Sequence, residues 1–271
     1  MTLSVVVSTY DRPAELDAVL RGLADQSDRD FELVVADDGS SSETQALVES
    51  RRQTFGEALV HVWQPDEGYR LALARNRAAL AAAGDYLVFM DADCIPRRGF
   101  VAALRRAALP GWFVAGRRVE LGSELSRRVL AEQLPVQRWS TPRLALHGTG
   151  LAALTARDRR VTGRTGVPEF EPHANAYGFL LGLSRADFER ANGFDTRFIG
   201  WGEEDVDLAV RLRRLGLHCG HAGSQATLLH LWHPSSKPVG ERNAPLLAET
   251  EESTRVEAVE GLRELAGQES A

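Results

Sequence analysis

The chain contains little cysteine. Cys94 and Cys219 are the only two cysteines among 271 residues. Two cysteines this far apart form neither a disulfide framework nor a spaced set of metal ligands, which excludes a small disulfide-rich protein and a zinc finger. Their scarcity agrees with a reducing compartment.

Long apolar runs are also missing. No stretch approaches the roughly 20 apolar residues that a membrane-spanning helix needs, and residues 1–4 lead into an apolar segment without a charged leader. The sequence therefore predicts a cytoplasmic protein without a transmembrane segment, and it leaves peripheral membrane association open. The net charge of -6 argues against nucleic acid as a partner.

Four short apolar segments in the first third indicate buried strands. They are residues 3–7, 31–36, 59–63 and 86–90, and stretches with helical spacing of apolar residues lie between them. Repeated strand–helix units predict an α/β fold with a doubly wound, mostly parallel sheet. A dinucleotide-binding dehydrogenase is disfavoured because no Gly-rich turn follows the first segment.

Carboxylates stand where two of these segments end. Asp38 follows the second segment, and Asp91 and Asp93 close the fourth. Ligands of open α/β sheets bind beyond the carboxyl ends of strands, where carboxylates suit Mg²⁺ or Mn²⁺ carrying a diphosphate. Asp38 could there accept a uracil N–H or ribose hydroxyls. Turns and helix caps would explain the same acids without any ligand.

Arg75 and Asn76 interrupt a predicted helix that is otherwise filled with alanine and leucine. An arginine at this position could reach a phosphate, and an asparagine could hold a loop. A solvated helix face is the alternative for both residues.

The last third places an aromatic residue beside acids. Trp201 stands between two glycines and precedes Glu203, Glu204 and Asp205. A flat apolar ring next to a carboxylate suits a sugar, although acids are also favourable at the start of the helix that follows. Farther on, His230 and His233 lie three residues apart, which predicts at least one ligand of a divalent ion.

Four motifs of the first third, in this order, resemble family-2 glycosyltransferases of the GT-A fold. They are Ser-Val-Val-Val-Ser-Thr-Tyr-Asp-Arg-Pro at 4–13, Val-Ala-Asp-Asp-Gly-Ser at 35–40, Ala-Arg-Asn at 74–76 and Asp-Ala-Asp at 91–93. The resemblance implies a UDP-sugar donor and Mn²⁺ or Mg²⁺, with Asp93 as the direct metal ligand. The residues it places around the nucleotide sugar are Ser8, Tyr10, Asp38, Arg75, Asn76 and Asp91.

Residues 177–208 resemble β-1,4-galactosyltransferases and bacterial chondroitin-type polymerases, whose pattern is Asn-Gly-Phe…Gly-Trp-Gly-Gly-Glu-Asp-x-Asp. Glu203 replaces the second glycine after the tryptophan, so the backbone of this turn can differ from that of the resembling proteins. The resemblance implies that Trp201 and Glu204 contact the acceptor and that Asp205 is the general base of an inverting transfer. It also favours His233 as a metal ligand, with His230 as a second one.

We therefore expect a single GT-A domain. Residues 1–118 would bind the nucleotide sugar, residues 119–238 would hold the acceptor and the catalytic groups, and residues 239–271 would form a helical tail with a helix over 254–265. The expected activity is metal-dependent transfer of a hexose or N-acetylhexosamine from a UDP-sugar to a hydroxyl of a carbohydrate or other acceptor. The sequence does not determine which sugar is moved.

Two other functions share part of this pattern. A nucleotidyltransferase that makes nucleotide sugars would need a basic, Gly-rich loop after the first strand, which residues 8–13 do not provide. A degenerate, non-catalytic transferase that binds glycans would show broken motifs, whereas the expected acids and histidines are present. The acceptor region has no clear motif, but its arginines would suit an anionic acceptor or would form a solvated face: Arg157, Arg159, Arg160 and Arg164.

Overall fold

The computed structural model describes residues 1–149, 178–234 and 242–269. The arginines considered for an anionic acceptor, at 157–164, lie outside the described residues. Among the residues that are described, no helix combines the length and the apolar character needed to cross a membrane.

The first part of the chain alternates strands and helices, as predicted. Its elements are β1 (Leu3–Thr9), α1 (Pro13–Ala24), β2 (Phe31–Asp37), α2 (Ser42–Phe55), β3 (Leu59–Trp63), α3 (Leu71–Ala81) and β4 (Tyr86–Asp91). The predicted strands differ from the observed ones by at most two residues at an end. Pro13 occupies the first position of α1, where its missing N–H leaves no helical hydrogen bond unmade.

The second part contains shorter elements. They are β5 (Cys94–Pro96), α4 (Phe100–Ala107), β6 (Trp112–Ala115), β7 (Arg118–Leu121), α5 (Ser123–Glu132), α6 (Thr141–Ala145), β8 (Gly148–Thr149), β9 (Leu180–Ser184), α7 (Arg185–Arg190), α8 (Glu204–Arg214), β10 (His218–Gly220), β11 (Leu228–His230), α9 (Ala244–Glu252) and α10 (Leu262–Glu269). Ser184 caps α7, since its hydroxyl accepts a hydrogen bond from the backbone of Asp187.

Seven strands form the main sheet, in the order β10-β6-β9-β4-β1-β2-β3. Strand β9 is antiparallel to both of its neighbours, and the other pairs are parallel. The register places Ser8 of β1 beside Asp91 of β4, and Thr9 beside Asp37. The polar strand ends predicted from the sequence therefore meet at one edge of a mostly parallel sheet.

Both faces of this sheet are covered. Alternate residues of β1 point to opposite sides, so that Val5 and Val7 pack with α1 and Val6 packs with α3. Four of the alanines of α3 are buried against the sheet. Small side chains bring this helix close to the strand ends, and the same helix carries Arg75.

A second sheet of four strands, in the order β5-β11-β7-β8, was not predicted from the sequence. Strand β11 runs antiparallel to β5 and parallel to β7, which sets His230 between Cys94 and Glu120. Because β5 begins directly after Asp93, this sheet carries the late histidines to the acidic end of β4.

The predicted helix over 254–265 is wrong in its bounds. Helix α9 ends at Glu252 and α10 begins at Leu262. The backbone between them bonds instead to the loop after α7: the N–H of Ala258 donates to Ala191 (2.9 Å), and Glu260 accepts from Thr196 (2.8 Å). These tertiary hydrogen bonds replace the helical ones that the apolar spacing suggested.

The turn before α8 has the backbone shape that glycine favours. Gly200 and Gly202 have φ values of 91° and 89°, and Glu203 has a φ of 75°. Glu203 thus has a left-handed conformation at the position where the resembling pattern has glycine. A side chain in this left-handed region costs roughly 1–2 kcal/mol.

We predict that Glu203→Gly is more stable than Glu203→Ala by about 1 kcal/mol, because both variants lack the glutamate side chain and only alanine keeps the strained Cβ. Urea unfolding at constant m-value measures the difference. Equal stabilities would show that the turn relaxes away from the left-handed conformation.

Candidate active site

Three potential metal ligands converge at the end of β4. Asp93, His230 and His233 offer one ligand atom each, and these atoms lie within 4.8 Å of one another. The Oδ2 atom of Asp93 is 3.6 Å from Nε2 of His230 and 3.2 Å from Nε2 of His233. The structure thus brings together the three residues that were expected to lie close to one another.

The donor atoms suit a divalent ion. Ligands bound about 2.1 Å from one ion, at neighbouring positions of an octahedron, are separated by about 3 Å, close to the two distances from Asp93. Burial alone raises the pKa of Asp93, but hydrogen bonds from His230 and His233 outweigh it and hold this pKa below its usual range. The hydrogen bond to Asp93 raises the pKa of His233. The cluster therefore already concentrates negative charge on Asp93.

Arg75 is buried at the centre of the site, with 1% of its surface exposed. Its guanidinium donates to the Ser8 hydroxyl (3.2 Å), to Asp91 (3.0 Å) and to Glu204 (3.1 Å). It also donates to the carbonyl of Gly178 (2.9 Å). One side chain thus joins the ends of β1 and β4 to the first turn of α8.

The carboxylates around Arg75 have raised pKa values. Burial raises the pKa of Asp91 to about 6, in spite of the nearby guanidinium. Burial, with the repulsion of Asp205, raises the pKa of Glu204 to about 7. Within the described part of the chain, Oε2 of Glu204 is buried and has no hydrogen-bond partner, so this oxygen is available to a ligand.

Asp205 is oriented by backbone groups. Its Oδ2 accepts the N–H of Gly178, and its Oδ1 accepts the N–H of Val206 at 2.8 Å. Burial raises its pKa. A Cβ at position 178 would lie 2.9 Å from Nη1 of Arg75 and 3.1 Å from Oδ2 of Asp205. Only glycine therefore fits between these two groups.

The end of β2 presents Asp38 in a fixed orientation. Its two oxygens accept hydrogen bonds from the Gln64 amide (2.6 Å) and from the backbone N–H of Arg70 (2.7 Å), while burial raises its pKa. Tyr10 lies at the exposed rim, where its hydroxyl donates to Asp66 (3.0 Å).

Asn76 differs from the other residues that were predicted to bind the nucleotide sugar, because its side chain contacts the loop at Phe194. Its amide donates to the carbonyl of Phe194 (2.8 Å) and accepts the N–H of the same residue (3.0 Å). A fully buried side chain with this pair of bonds holds a loop, which is one of the roles that the sequence left open. Trp201, by contrast, is half exposed in the turn before α8.

Sequence reasoning missed three residues of the site. Glu120 bonds His230, Gly178 bonds both Arg75 and Asp205, and Arg12 lies 3.8 Å from Asp93. The alternation of apolar and charged residues in 118–121 signals a half-buried strand and could have revealed Glu120. No local pattern marks Gly178.

Two family models match the chain. The model described as glycosyl transferase family 2 matches residues 4–157, and that described as N-terminal domain of galactosyltransferase matches residues 165–233. The first match covers the four motifs of the first third, and the second covers the acidic motif after Trp201.

Characterised relatives are transferases and polysaccharide synthases. Validoxylamine A glucosyltransferase of Streptomyces hygroscopicus subsp. jinggangensis (strain 5008) is 34% identical over 233 residues, which are 79% of this chain and 52% of that protein. Chondroitin synthase of Escherichia coli is 26% identical over 236 residues, which are 80% of this chain and 33% of that protein. The chain spans about half the length of the glucosyltransferases it matches.

Solved structures share the fold. S. aureus TarS in complex with UDP-GlcNAc has a TM-score of 0.59 at 18% identity, covering 92% of this chain and 64% of that one. The mannosyltransferase PcManGT from Pyrobaculum calidifontis, in complex with GDP-Man and Mn²⁺, has a TM-score of 0.55 at 20% identity, covering 92% and 60%. The GT-A fold class predicted from the sequence is confirmed. Because the family-2 model matches more than half of the residues, the chain belongs to glycosyl transferase family 2.

Proposed function

We propose that the chain is a metal-dependent inverting glycosyltransferase, which moves a hexose or N-acetylhexosamine from a UDP-sugar to a hydroxyl acceptor. The observation that carries this proposal is that Arg75 connects the region of the potential metal ligands to the acids of α8. The Asp93–His230–His233 cluster lies beside Asp91 at the end of β4, and the acids of α8 approach Arg75 from the other side.

Asp93, His230 and His233 would hold the ion. Imidazole ligands suit Mn²⁺ better than Mg²⁺, which prefers oxygen ligands and water, so we assign Mn²⁺ as the preferred metal. When bound, it would offset the charge that develops on the departing diphosphate. Arg12, with its guanidinium 3.8 Å from Asp93, is suitably placed to add positive charge near that diphosphate.

The nucleoside would lie along the ends of β1 and β2. Asp38 has both oxygens oriented and retains lone pairs for a uracil N–H. Ser8 and Tyr10 flank the same edge. The complex of TarS with UDP-GlcNAc supports a uridine nucleotide, whereas GDP-Man in PcManGT shows that the fold also accepts guanosine donors.

Asp205 would act as the general base. Two backbone N–H groups orient its carboxylate, and burial raises its pKa, which makes the ionised form a stronger base. It would take the proton of the acceptor hydroxyl as that oxygen attacks the sugar from the face opposite the diphosphate. With an α-linked donor, this single displacement gives a β-linked product.

Glu204 and Trp201 would hold the acceptor. The unpartnered oxygen of Glu204 can bond an acceptor hydroxyl, and the half-exposed ring of Trp201 can pack on the C–H face of a sugar. A carbohydrate or small glycoside acceptor agrees with relatives named as a glucosyltransferase and as synthases of hyaluronan and chondroitin.

We predict that Mn²⁺ is required for UDP to stabilise the protein. At about 100 times its Kd, UDP should add roughly 2.7 kcal/mol to the free energy of unfolding. Asp93→Ala and His233→Ala should lose this metal-dependent increment, which thermal unfolding measures. Stabilisation by a nucleoside triphosphate with a sugar 1-phosphate, and none by UDP, would instead indicate a nucleotidyltransferase.

Asp205→Asn should lower kcat by about 100- to 10,000-fold, because the amide cannot take the proton, while the Kd for UDP stays unchanged. Asp30→Asn makes the same change at an exposed carboxylate and should leave both values intact. Normal turnover by Asp205→Asn would remove this residue from the role of base. UDP binding without turnover in the unmodified protein, across UDP-sugars and acceptors, would favour a glycan-binding module.

Glu204 should make the protein less stable as pH rises. Its pKa is raised from 4.5 to about 7 in the folded state, so between these values the folded chain keeps a proton that the unfolded chain releases. Its stabilising contribution is complete below pH 4.5 and is lost as pH rises through 7, with a slope of up to about 1.4 kcal/mol per pH unit.

Glu204→Gln should therefore show a flatter pH profile than the unmodified protein and higher stability above pH 7. Urea unfolding across this pH range measures the two profiles. Groups that do not interact with Glu204 contribute equally to both profiles and cancel in the difference. Asp91 and Asp205 lose the repulsion of Glu204 in the variant, which flattens its profile further. Parallel profiles would contradict the prediction.

A further inference from the structure

His230 and His233 have the same orientation relative to Asp93. Each ring turns Nε2 toward the Asp93 carboxylate and Nδ1 toward a separate acceptor. Nδ1 of His230 bonds Oε2 of Glu120 at 2.5 Å, and Nδ1 of His233 bonds the carbonyl of Pro234 at 2.9 Å. With an ion between Nε2 and Asp93, an acceptor at Nδ1 keeps the imidazole proton on that nitrogen and leaves the Nε2 lone pair directed at the ion. Without the ion, Asp93 is itself an acceptor that faces Nε2.

The two acceptors differ in origin. Pro234 is the neighbour of His233, so its carbonyl is present whatever side chains the chain carries. Glu120 is 110 residues away from His230 in sequence and is brought to it by the parallel pairing of β7 and β11, in which the two residues stand opposite each other. The orientation of His230 therefore depends on one side chain.

Glu120 is itself held in place. Its Oε1 accepts a hydrogen bond from Nε of Arg118 at 2.6 Å, and the Arg118 guanidinium lies over the Phe179 ring, 4.7 Å from its centroid. One carboxylate oxygen thus serves Arg118 and the other serves His230. An ionised carboxylate only accepts hydrogen bonds, so it cannot stabilise the opposite tautomer of the imidazole.

We propose that Glu120 is a positioning residue of the metal centre: its Oε2 accepts the Nδ1–H of His230, which leaves Nε2 of His230 free to bind the ion together with Asp93 and His233. This inference rests on the metal-dependent function proposed above. Loss of such a carboxylate partner typically lowers metal affinity about 10- to 100-fold.

Glu120→Gln tests the proposal because it preserves the shape of the side chain. The single oxygen of the introduced amide would then be the only acceptor for both Arg118 and His230. If that oxygen accepts from Arg118, the amide N–H₂ faces His230. That group donates to Nδ1 and moves the imidazole proton to Nε2, which blocks metal binding. Glu120→Ala removes the acceptor altogether and leaves the tautomer unspecified.

Two readouts are needed. Titration with Mn²⁺, followed by the electron paramagnetic resonance of the free ion, should show a Kd about 10- to 100-fold weaker in both Glu120 variants. Long-range ¹H–¹⁵N spectra of the protein loaded with diamagnetic Zn²⁺ at mildly alkaline pH, with His230→Ala to assign the signal, should show Nδ1–H in the unmodified protein. Glu120→Gln should keep the proton on Nε2 at the same Zn²⁺ concentration. Glu132→Gln alters another Arg-paired carboxylate and should change neither.

The outcomes separate this inference from the proposed function. If the unmodified protein binds Mn²⁺ and both Glu120 variants keep its Kd and tautomer, the role of Glu120 is overturned and the function stands. If the unmodified protein binds no Mn²⁺, the metal-dependent function fails, and the assignment of Glu120 to a metal centre fails with it. Absence of the Nδ1 proton of His230 in the unmodified, Zn²⁺-loaded protein also overturns the proposal.

Discussion

The burial of Arg75 is the constraint on which the site depends. A guanidinium removed from water needs carboxylates and carbonyls around it, since an unpaired buried charge is strongly destabilising. Asp91, Glu204 and Gly178 meet this need from three separate segments of the chain. The cation that requires these partners therefore also sets the distance between the acidic end of the central strand and the acids proposed to hold the acceptor. Removing it would leave mutually repelling acids at the meeting point.

Each of the two sheets positions a different part of this site. The parallel sheet aligns the ends of β1, β2 and β4, where we propose that the nucleotide sugar binds, because parallel strands end at the same edge. The small mixed sheet returns the chain from residue 228 to that edge and places His230 beside Asp93. The proposed metal centre takes ligands from both sheets and so ties the C-terminal segment to the acidic end of β4. The proposed metal dependence therefore follows from the strand pairing that brings His230 to Asp93.

Much of the fold and part of the site could be predicted from residue order. The four apolar segments, the carboxylates that end them and the family were recognised, because strand burial and motif spacing are local properties of the chain. The pairing of Asp93 with His233 was also expected, although they lie far apart, since a resemblance supplied the long-range information. The helix over 254–265 was misplaced because its apolar spacing is real, but its backbone bonds to the loop after α7.

By itself the sequence determined the order of the strands and helices, the acidic strand ends and the residue types that chemistry at the site requires. Only the tertiary structure decided which groups meet. It assigned Asn76 to the loop at Phe194, placed Gly178 between Arg75 and Asp205, and brought Glu120 to a histidine distant in sequence. Such contacts depend on strand register and on the free energy of burying polar groups together, and neither quantity is written in any short stretch of residues.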